Sequence, residues 1–248
     1  MKKLSSEQLR DRLFDVLRGK NHWAVSHLNG NKATNQHLKI HYHQEYVVYI
    51  RDVAILLARV LGKNPPWEVR QKLAGMIYEE ETGCLTLGRP HRELFLEMMM
   101  GLGFDRAGFR DVELLSNSRA YREWLDSVCQ EEDWLVGGTI LTIFVSGTDH
   151  DREDVLYPQP AKTAAEIEDT ITKHPLLQYH GLSPACMDYI RVHEMAEFGC
   201  RRDAYEMITR YATDPETQQH ILTRMDEGLR HWSGYQDGIA RACGLRNP

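Results

Sequence analysis

The sequence lacks a hydrophobic run long enough to cross a lipid bilayer. Its longest uncharged stretch, residues 134–148, has 15 residues and includes three glycines, whereas a membrane-spanning helix needs about 20 apolar residues. We interpret this stretch as a helix buried in a protein core. The first seven residues turn polar at once and contain no apolar segment of the kind found in signal peptides. We therefore expect neither a membrane partner nor export by that route.

Cysteines are few, and positive charge is not in excess. The five cysteines are odd in number and form no C-x-x-C pair, which argues against a disulfide framework and against a zinc knuckle. A reducing cytoplasm fits this pattern. The net charge is −6, with 30 basic and 36 acidic residues scattered among one another, so no positive surface is predicted that would attract a polyanion. We expect no nucleic-acid partner.

Helical periodicity dominates what the sequence does contain. Apolar residues recur at a period near 3.6, while the alternation typical of strands is almost absent. No linker or low-complexity run divides the chain, so we predict one all-α domain over residues 1–248, a bundle of about seven helices. The predicted helices cover residues 6–18, 34–61, 66–81, 90–102, 118–131, 134–145, 183–211 and 214–243, with a short one at 164–173 inside a long connection from 147 to 180.

One predicted helix presents three metal-binding side-chain types on a single face. His193, Glu197 and Cys200 are separated by four and three residues, and Tyr189 lies one turn earlier, so all four project in similar directions. Imidazole, carboxylate and thiolate all bind transition metals. The alternative interpretation is a polar helix face exposed to solvent, with one buried cysteine.

A second candidate group lies at the end of an earlier predicted helix. Glu79, Glu80 and Glu81 stand at its C-terminus, and His91 begins the region of the next helix. Three carboxylates at the negative end of a helix dipole are unfavourable without a compensating cation. The group therefore indicates a bound cation or, in the alternative interpretation, a solvated acidic helix end.

Taken in order, these motifs resemble those of the heme-oxygenase-like diiron oxidases and oxygenases. The resemblance rests on the sequence NGNKAT at residues 29–34, a Tyr-rich helix, Glu81-x-Gly83 followed after seven residues by His91, and the motif His193-x3-Glu197-x2-Cys200. It covers roughly residues 20 to 240. It implies the helical fold shared by TenA and PqqC proteins. The diiron oxidases and oxygenases are relatives of PQQ synthase and of the chlamydial protein associating with death domains.

The resemblance also implies a set of metal ligands. Carried over by position, Glu81, His91, His193 and Glu197 match ligands of the family. Two positions depart from it: Ser146 stands where the family has a glutamate that bridges two metals, and Cys200 stands where it has a final histidine. Because the bridging carboxylate is lost, the resemblance implies a mononuclear or degenerate dinuclear iron site.

The resemblance implies an enzyme that uses iron and O2 to oxidise a small organic metabolite, one that carries a carboxylate. His193, Glu197, Tyr189 and Cys200 are the candidate catalytic side chains. Three alternatives stay open: a metal-free oxidase resembling PQQ synthase, a thiaminase-like hydrolase that uses Cys200 as its nucleophile, and a binding protein without activity. A cytoplasmic homodimer with a small-molecule partner is compatible with each of them.

Overall fold

The structure, a computed structural model, describes residues 2–157, 159–196 and 200–247, with the backbone alone at Ala196 and Cys200. Within these ranges every regular element is helical and no strand occurs. Fourteen α-helical segments are present in chain order: α1 Ser6–Leu17, α2 Trp23–Leu28, α3 Asn35–Val48, α4 Val53–Leu61, α5 Trp67–Thr82, α6 His91–Gly101, α7 Ser116–Glu131, α8 Trp134–Thr139, α9 Asp151–Leu156, α10 Ala164–Lys173, α11 Pro175–His180, α12 Asp188–Ala196, α13 Cys200–Tyr211 and α14 Pro215–Ala242.

The predicted all-α class is confirmed, but the helices are shorter and more numerous than the expected seven. The predicted helix over 34–61 is interrupted by a 3-10 turn at Ile50–Asp52. A guanidinium from α7 explains the interruption: Arg122 donates to the carbonyl oxygens of Val47 and Val48 at 2.9 and 3.3 Å and pairs with Asp52 at 2.9 Å. These two carbonyl groups at the end of α3 thus accept hydrogen bonds from a side chain of another helix.

The predicted helix over 183–211 also begins later than expected. Ser183 caps only a 3-10 turn, Pro184–Cys186, and α12 starts at Asp188. At the last helix the prediction is correct. The Asp214 side chain accepts from the backbone N–H of Thr217 at 2.8 Å, and Pro215 occupies the first turn of α14.

The predicted buried helix over 134–145 is present, and its second half is a π-helix, Ile140–Val145. Its end is closed by Lys20, whose Nζ donates to the carbonyl oxygens of Phe144 and Gly147 at 2.7 and 2.6 Å. The helix lies among α7, α13 and α14, where the largest apolar cluster of the described residues forms. No helix in the described ranges combines the length and apolarity needed to span a bilayer.

Candidate functional site

A tight loop after α5 brings the end of that helix against the start of α6. Gly83 ends α5 in the left-handed region, at φ 62°, and a Cβ there would overlap the backbone of Arg89. Only glycine, which has no Cβ, adopts this backbone conformation and fits this close to Arg89 without strain. The loop that follows directs two donors at Glu79: the Leu85 backbone N–H at 2.7 Å and the Thr86 hydroxyl.

His91, the first residue of α6, is 4% exposed and lies between two carboxylates of α5. Its Nε2 is 3.1 Å from Glu79 Oε1, and its Nδ1 is 3.3 Å from Glu80 Oε2. The first contact has hydrogen-bond geometry. The second does not, so Nδ1 is buried without a hydrogen-bond partner among the described residues although a carboxylate oxygen faces it.

The electrostatics of this cluster favour a positive charge at His91. Burial alone would lower the pKa of His91, but the nearby carboxylates of Glu80 and Glu79, the second of them hydrogen-bonded to the ring, outweigh it and raise that pKa. Burial also acts to raise the pKa of Glu79, yet Thr86, Leu85 and His91 together hold it below its usual value. Glu79 is therefore a fixed carboxylate anion, and the His91 ring has one nitrogen bonded to it.

His193 approaches His91 from α12. The two ring centroids are 5.3 Å apart, and the His193 ring also lies 4.5 Å from the ring of Tyr189. Nδ1 of His193 donates to the carbonyl oxygen of Tyr189 at 2.7 Å. This hydrogen bond fixes the proton on Nδ1 and leaves Nε2 as the nitrogen with a free lone pair.

The other predicted ligands lie in different surroundings. The Glu81 side chain is 42% exposed, and its carboxylate is 3.9 Å from Arg92. One residue earlier on the helix, Glu80 is the carboxylate that faces Nδ1 of His91. Glu197 lies outside the described residues, as does the side chain of Cys200. Ser146 is exposed, and its hydroxyl donates to the Leu141 carbonyl oxygen at 3.0 Å.

Within the described residues, no three His, Cys, Asp or Glu side chains are grouped closely enough to hold a metal ion as they stand. The donor chemistry nevertheless fits iron. Glu80, His91 and His193 provide one carboxylate and two imidazoles, the set typical of mononuclear non-heme iron sites. The 3.3 Å between His91 Nδ1 and Glu80 Oε2 suits two ligands of one ion, each at roughly 2.1 Å.

Partly accessible phenols and carboxylates extend from these residues into the bundle. Burial raises the pKa of Tyr42, Tyr49 and Tyr189 well above the usual value of a phenol. All three nevertheless keep accessible surface, as do Glu45 and Glu80. Side chains that are deeply buried and still accessible line a cavity, so we infer an interior cavity beside Tyr42, Tyr49 and Tyr189.

The separate contacts of Glu79 and Glu80 with His91 were not predicted from the sequence, and Glu45 was not among the predicted site residues. The run of three glutamates indicates the region, but spacing alone does not say which member faces Nδ1 of His91. Glu45 could have been found because it follows His41 by four residues on the same helix.

Comparisons with known proteins agree with this fold. A family model described as iron-containing redox enzyme matches residues 40–233. A TenA homolog from Pseudomonas syringae pv. tomato str. DC3000 superposes with a TM-score of 0.66 at 10% identity, covering 95% of this chain and 92% of that one. A domain of unknown function with a heme oxygenase-like fold from Shewanella denitrificans OS217 gives 0.62 at 16% identity, covering 95% and 90%. No curated protein matches the chain in sequence.

The structural neighbours confirm the predicted heme-oxygenase-like bundle, and at these identities they bear on the fold alone. The family match covers most of the chain and includes His91, Tyr189 and His193. It agrees with the resemblance drawn from the motifs. The chain therefore belongs to the family of iron-containing redox enzymes.

Proposed function

We propose that the protein is a non-heme iron oxidase or oxygenase that uses O2 to oxidise a small organic metabolite. Glu80, His91 and His193 would hold the iron. Glu81, the carboxylate that the sequence motif indicates, is the competing candidate for the position of Glu80. Glu197 is a candidate for a further ligand or for a hydrogen-bond partner of one, as the sequence predicts.

The observation that carries the proposal is the contact between His91 and Glu80. A buried imidazole nitrogen and a carboxylate oxygen 3.3 Å apart repel each other through their lone pairs unless a positive charge lies between them. That charge is either a proton on Nδ1 or a metal ion. The match to a family of iron-containing redox enzymes favours the metal ion.

The residues around the contact have separate tasks. Glu79 accepts the Nε2 proton of His91 and so directs Nδ1 toward Glu80, as carboxylates behind metal-bound histidines do. The Tyr189 carbonyl oxygen fixes His193 in the tautomer that has Nε2 free to bind. Bound iron would supply the redox chemistry with O2. The phenols of the cavity would orient the substrate and exclude bulk water.

Metal analysis of paired variants tests the proposal. Protein purified without chelator should contain about one equivalent of iron, and Glu80→Gln should lose most of it because a carboxylate that would bind the iron is removed. Glu81→Gln is the matched control, one residue away on the same helix, and should keep its iron. If Glu81→Gln loses the metal and Glu80→Gln keeps it, the sequence motif identified the ligand and the geometric assignment is wrong.

The same contact also supports a second candidate, a metal-free oxidase resembling PQQ synthase. In that case a proton occupies Nδ1, and His91 is an imidazolium held by Glu79 and Glu80. This imidazolium would act as a proton donor beside the cavity. Protein that contains no iron as purified, takes up none from an anaerobic ferrous solution and still consumes O2 with a substrate would favour this candidate.

A further inference from the structure

A crevice of about 180 Å³ lies between α1, α9 and α13, three helices that carry none of the candidate iron ligands. Val155 and Leu156 of α9 and Tyr205 of α13 supply the apolar part of its lining. The Tyr205 hydroxyl donates to Asp151 at 3.0 Å in the interior, so the ring is the part of this side chain left to the crevice. A dry cavity of about 150 Å³ accepts benzene. The crevice is therefore large enough for one six-membered ring.

Three charged residues line the same crevice, and one of them has no counterion. Arg202 pairs with Glu206 one turn later on α13, Nε to Oε1 at 2.8 Å. Arg10 on α1 forms no hydrogen bond or ion pair with any residue that the structure describes, and its Nε is buried without an acceptor. Every other arginine of the described ranges that is not exposed has an acidic partner. Packing, and not an ion pair, thus holds the Arg10 guanidinium at the crevice.

The charges of the lining favour a ligand with a single negative charge. A guanidinium that is partly removed from water without a partner is unfavourable, and its planar N–H groups match a carboxylate or a phosphate in two parallel hydrogen bonds. Arg10 and Arg202 contribute two positive charges and Glu206 one negative charge, so the lining has a net charge of 2 − 1 = +1. A carboxylate balances this charge, whereas a phosphate dianion would exceed it.

We propose that this crevice binds the carboxylate of a small organic acid, with Arg10 on the carboxylate and the apolar body of the acid against α9 and α13. The terminal N–H groups of Arg10 would donate to the two carboxylate oxygens, because its Nε is enclosed by the protein. The apolar walls would keep water from these hydrogen bonds and so strengthen them. The site is separate from the candidate iron site and does not depend on the proposed function.

Benzoate and benzamide share a ring and a planar head group and differ in charge, so together they test the proposal. Their binding to the purified protein is measured by isothermal titration calorimetry. Benzoate should bind with a Kd of about 1 mM or lower, as a ligand of this size can. It should bind roughly tenfold more tightly than benzamide, because a hydrogen bond to a charged group exceeds a neutral one by about that ratio. Inorganic phosphate, which lacks an apolar body, should bind more weakly than benzoate.

Two variants of the lining should change the affinity for benzoate in opposite directions. Arg10→Gln should lower it roughly tenfold, to that of benzamide, because the unpaired cation is removed. Glu206→Gln should raise it about two- to fivefold, because it removes a negative charge and releases the Arg202 guanidinium from a surface ion pair. Arg119→Gln is the matched control. It removes an exposed guanidinium from α7 and should leave the affinity unchanged.

Equal binding of benzoate and benzamide, or no binding of benzoate at millimolar concentration, overturns the proposal. Tighter binding of phosphate than of benzoate overturns the assignment to a carboxylate. Benzoate bound at the iron site instead would keep its affinity in Arg10→Gln, and that result overturns the assignment to this crevice. The comparison of probes on the unmodified protein and on Glu206→Gln decides the matter even if Arg10→Gln does not fold. Because the assay measures binding alone, it can succeed in a protein without iron or oxidase activity.

Discussion

Two histidines of the site differ in how their tautomers are fixed. His91 is held through a carboxylate, Glu79, and His193 through the backbone of its own helix, at Tyr189. A carboxylate partner makes the opposite ring nitrogen more electron-rich than a carbonyl partner does. In the proposed site His91 is therefore the stronger donor of the pair, and the position of the His193 ring depends on α12 remaining helical.

Replacement of His193 separates the remaining interpretations of the site. His193→Ala should remove bound iron and O2 consumption, while the fold persists because the ring is only half-buried. Glu197→Ala should weaken both by about 10- to 100-fold, as loss of a supporting residue typically does. Cys200→Ala should leave both nearly unchanged. Iron content and an oxygen electrode provide the measurements.

The thiaminase-like hydrolase predicts the reverse order, because its nucleophile would be Cys200. In that case Cys200→Ala is the inactivating change and His193→Ala is tolerated. A purely structural helix face predicts a third pattern, in which His193→Ala lowers the melting temperature and affects no chemistry. Full iron content and full activity in His193→Ala would contradict the site proposed above.

At the level of elements, the loop between α5 and α6 decides whether the site forms. Gly83→Ala should destabilise the protein by more than about 2 kcal/mol, since a left-handed backbone costs roughly 1–2 kcal/mol for a residue with a Cβ and the Cβ would also overlap Arg89. It should reduce bound iron as well, because the loop directs Leu85 and Thr86 at Glu79. Urea denaturation and iron content measure the two effects.

Gly88 in the same loop is the matched control. It also has a positive φ, 70°, but a Cβ there would meet no atom within 4 Å. Gly88→Ala should therefore cost only the backbone part, about 1–2 kcal/mol, and leave the iron content near that of the unmodified protein. Equal losses in both variants would mean that backbone strain, and not the contact with Arg89, makes Gly83 necessary.

Helix positions could be predicted from the sequence because local periodicity and capping residues determine them. The expected range 164–173 is α10 to the residue, and 134–145 is α8 with its π-helical continuation. The break after Tyr49 could not be predicted, since Arg122, which donates to the last carbonyl groups of α3, lies 74 and 75 residues away from them in sequence.

The site could be predicted only to the level of its helices. Successive residues on a helix point about 100° apart, so a motif that selects Glu81 and a contact that involves Glu80 belong to different faces of α5. Which face meets α6 depends on the loop and on packing between distant helices. Spacing within a motif describes neither the loop nor the packing between helices. The pairing of Glu79 with His91 could therefore not be predicted from the sequence.

At the scale of the whole molecule, a buried polar cluster joins distant parts of the chain. Lys20 follows α1 and binds the end of the π-helix, and Asp151 accepts from Arg201 at 2.7 Å and from the Tyr205 hydroxyl at 3.0 Å. Burial lowers the pKa of Lys20 to about 8, although the charge of Asp151 acts to raise it. The cluster thus connects the turn after α1 with α9 and α13.

Lys20→Met should destabilise the protein by about 1–3 kcal/mol at pH 7, because the carbonyl groups of Phe144 and Gly147 lose a donor in the interior. The effect should depend on pH. Between pH 8 and 10.5 Lys20 is neutral when folded and protonated when unfolded, so the unfolded state binds more protons and stability from this group rises with pH.

The free energy of unfolding of the unmodified protein, minus that of Lys20→Met, should therefore increase from pH 8 to pH 9, by at most about 1.4 kcal/mol. Denaturant titrations of both proteins at pH 7, 8 and 9 measure this difference. A difference that stays constant across the interval would mean that the carbonyl contacts with Phe144, Val145 and Gly147 keep the ammonium charged, with a pKa near its ordinary value.

The π-helix that receives Lys20 also bears on how this chain can change in evolution. Its i→i+5 ladder accommodates one residue more than an α-helical ladder of the same span. Deletion of a single residue within Ile140–Val145 would therefore restore α-helical bonding over the same span and leave the residues after it close to their present orientation. Ser146 and the carbonyl of Gly147 would then keep their contacts with Arg201 and Lys20. A change of one residue in length is thus open to this segment without a change in what it presents at its end.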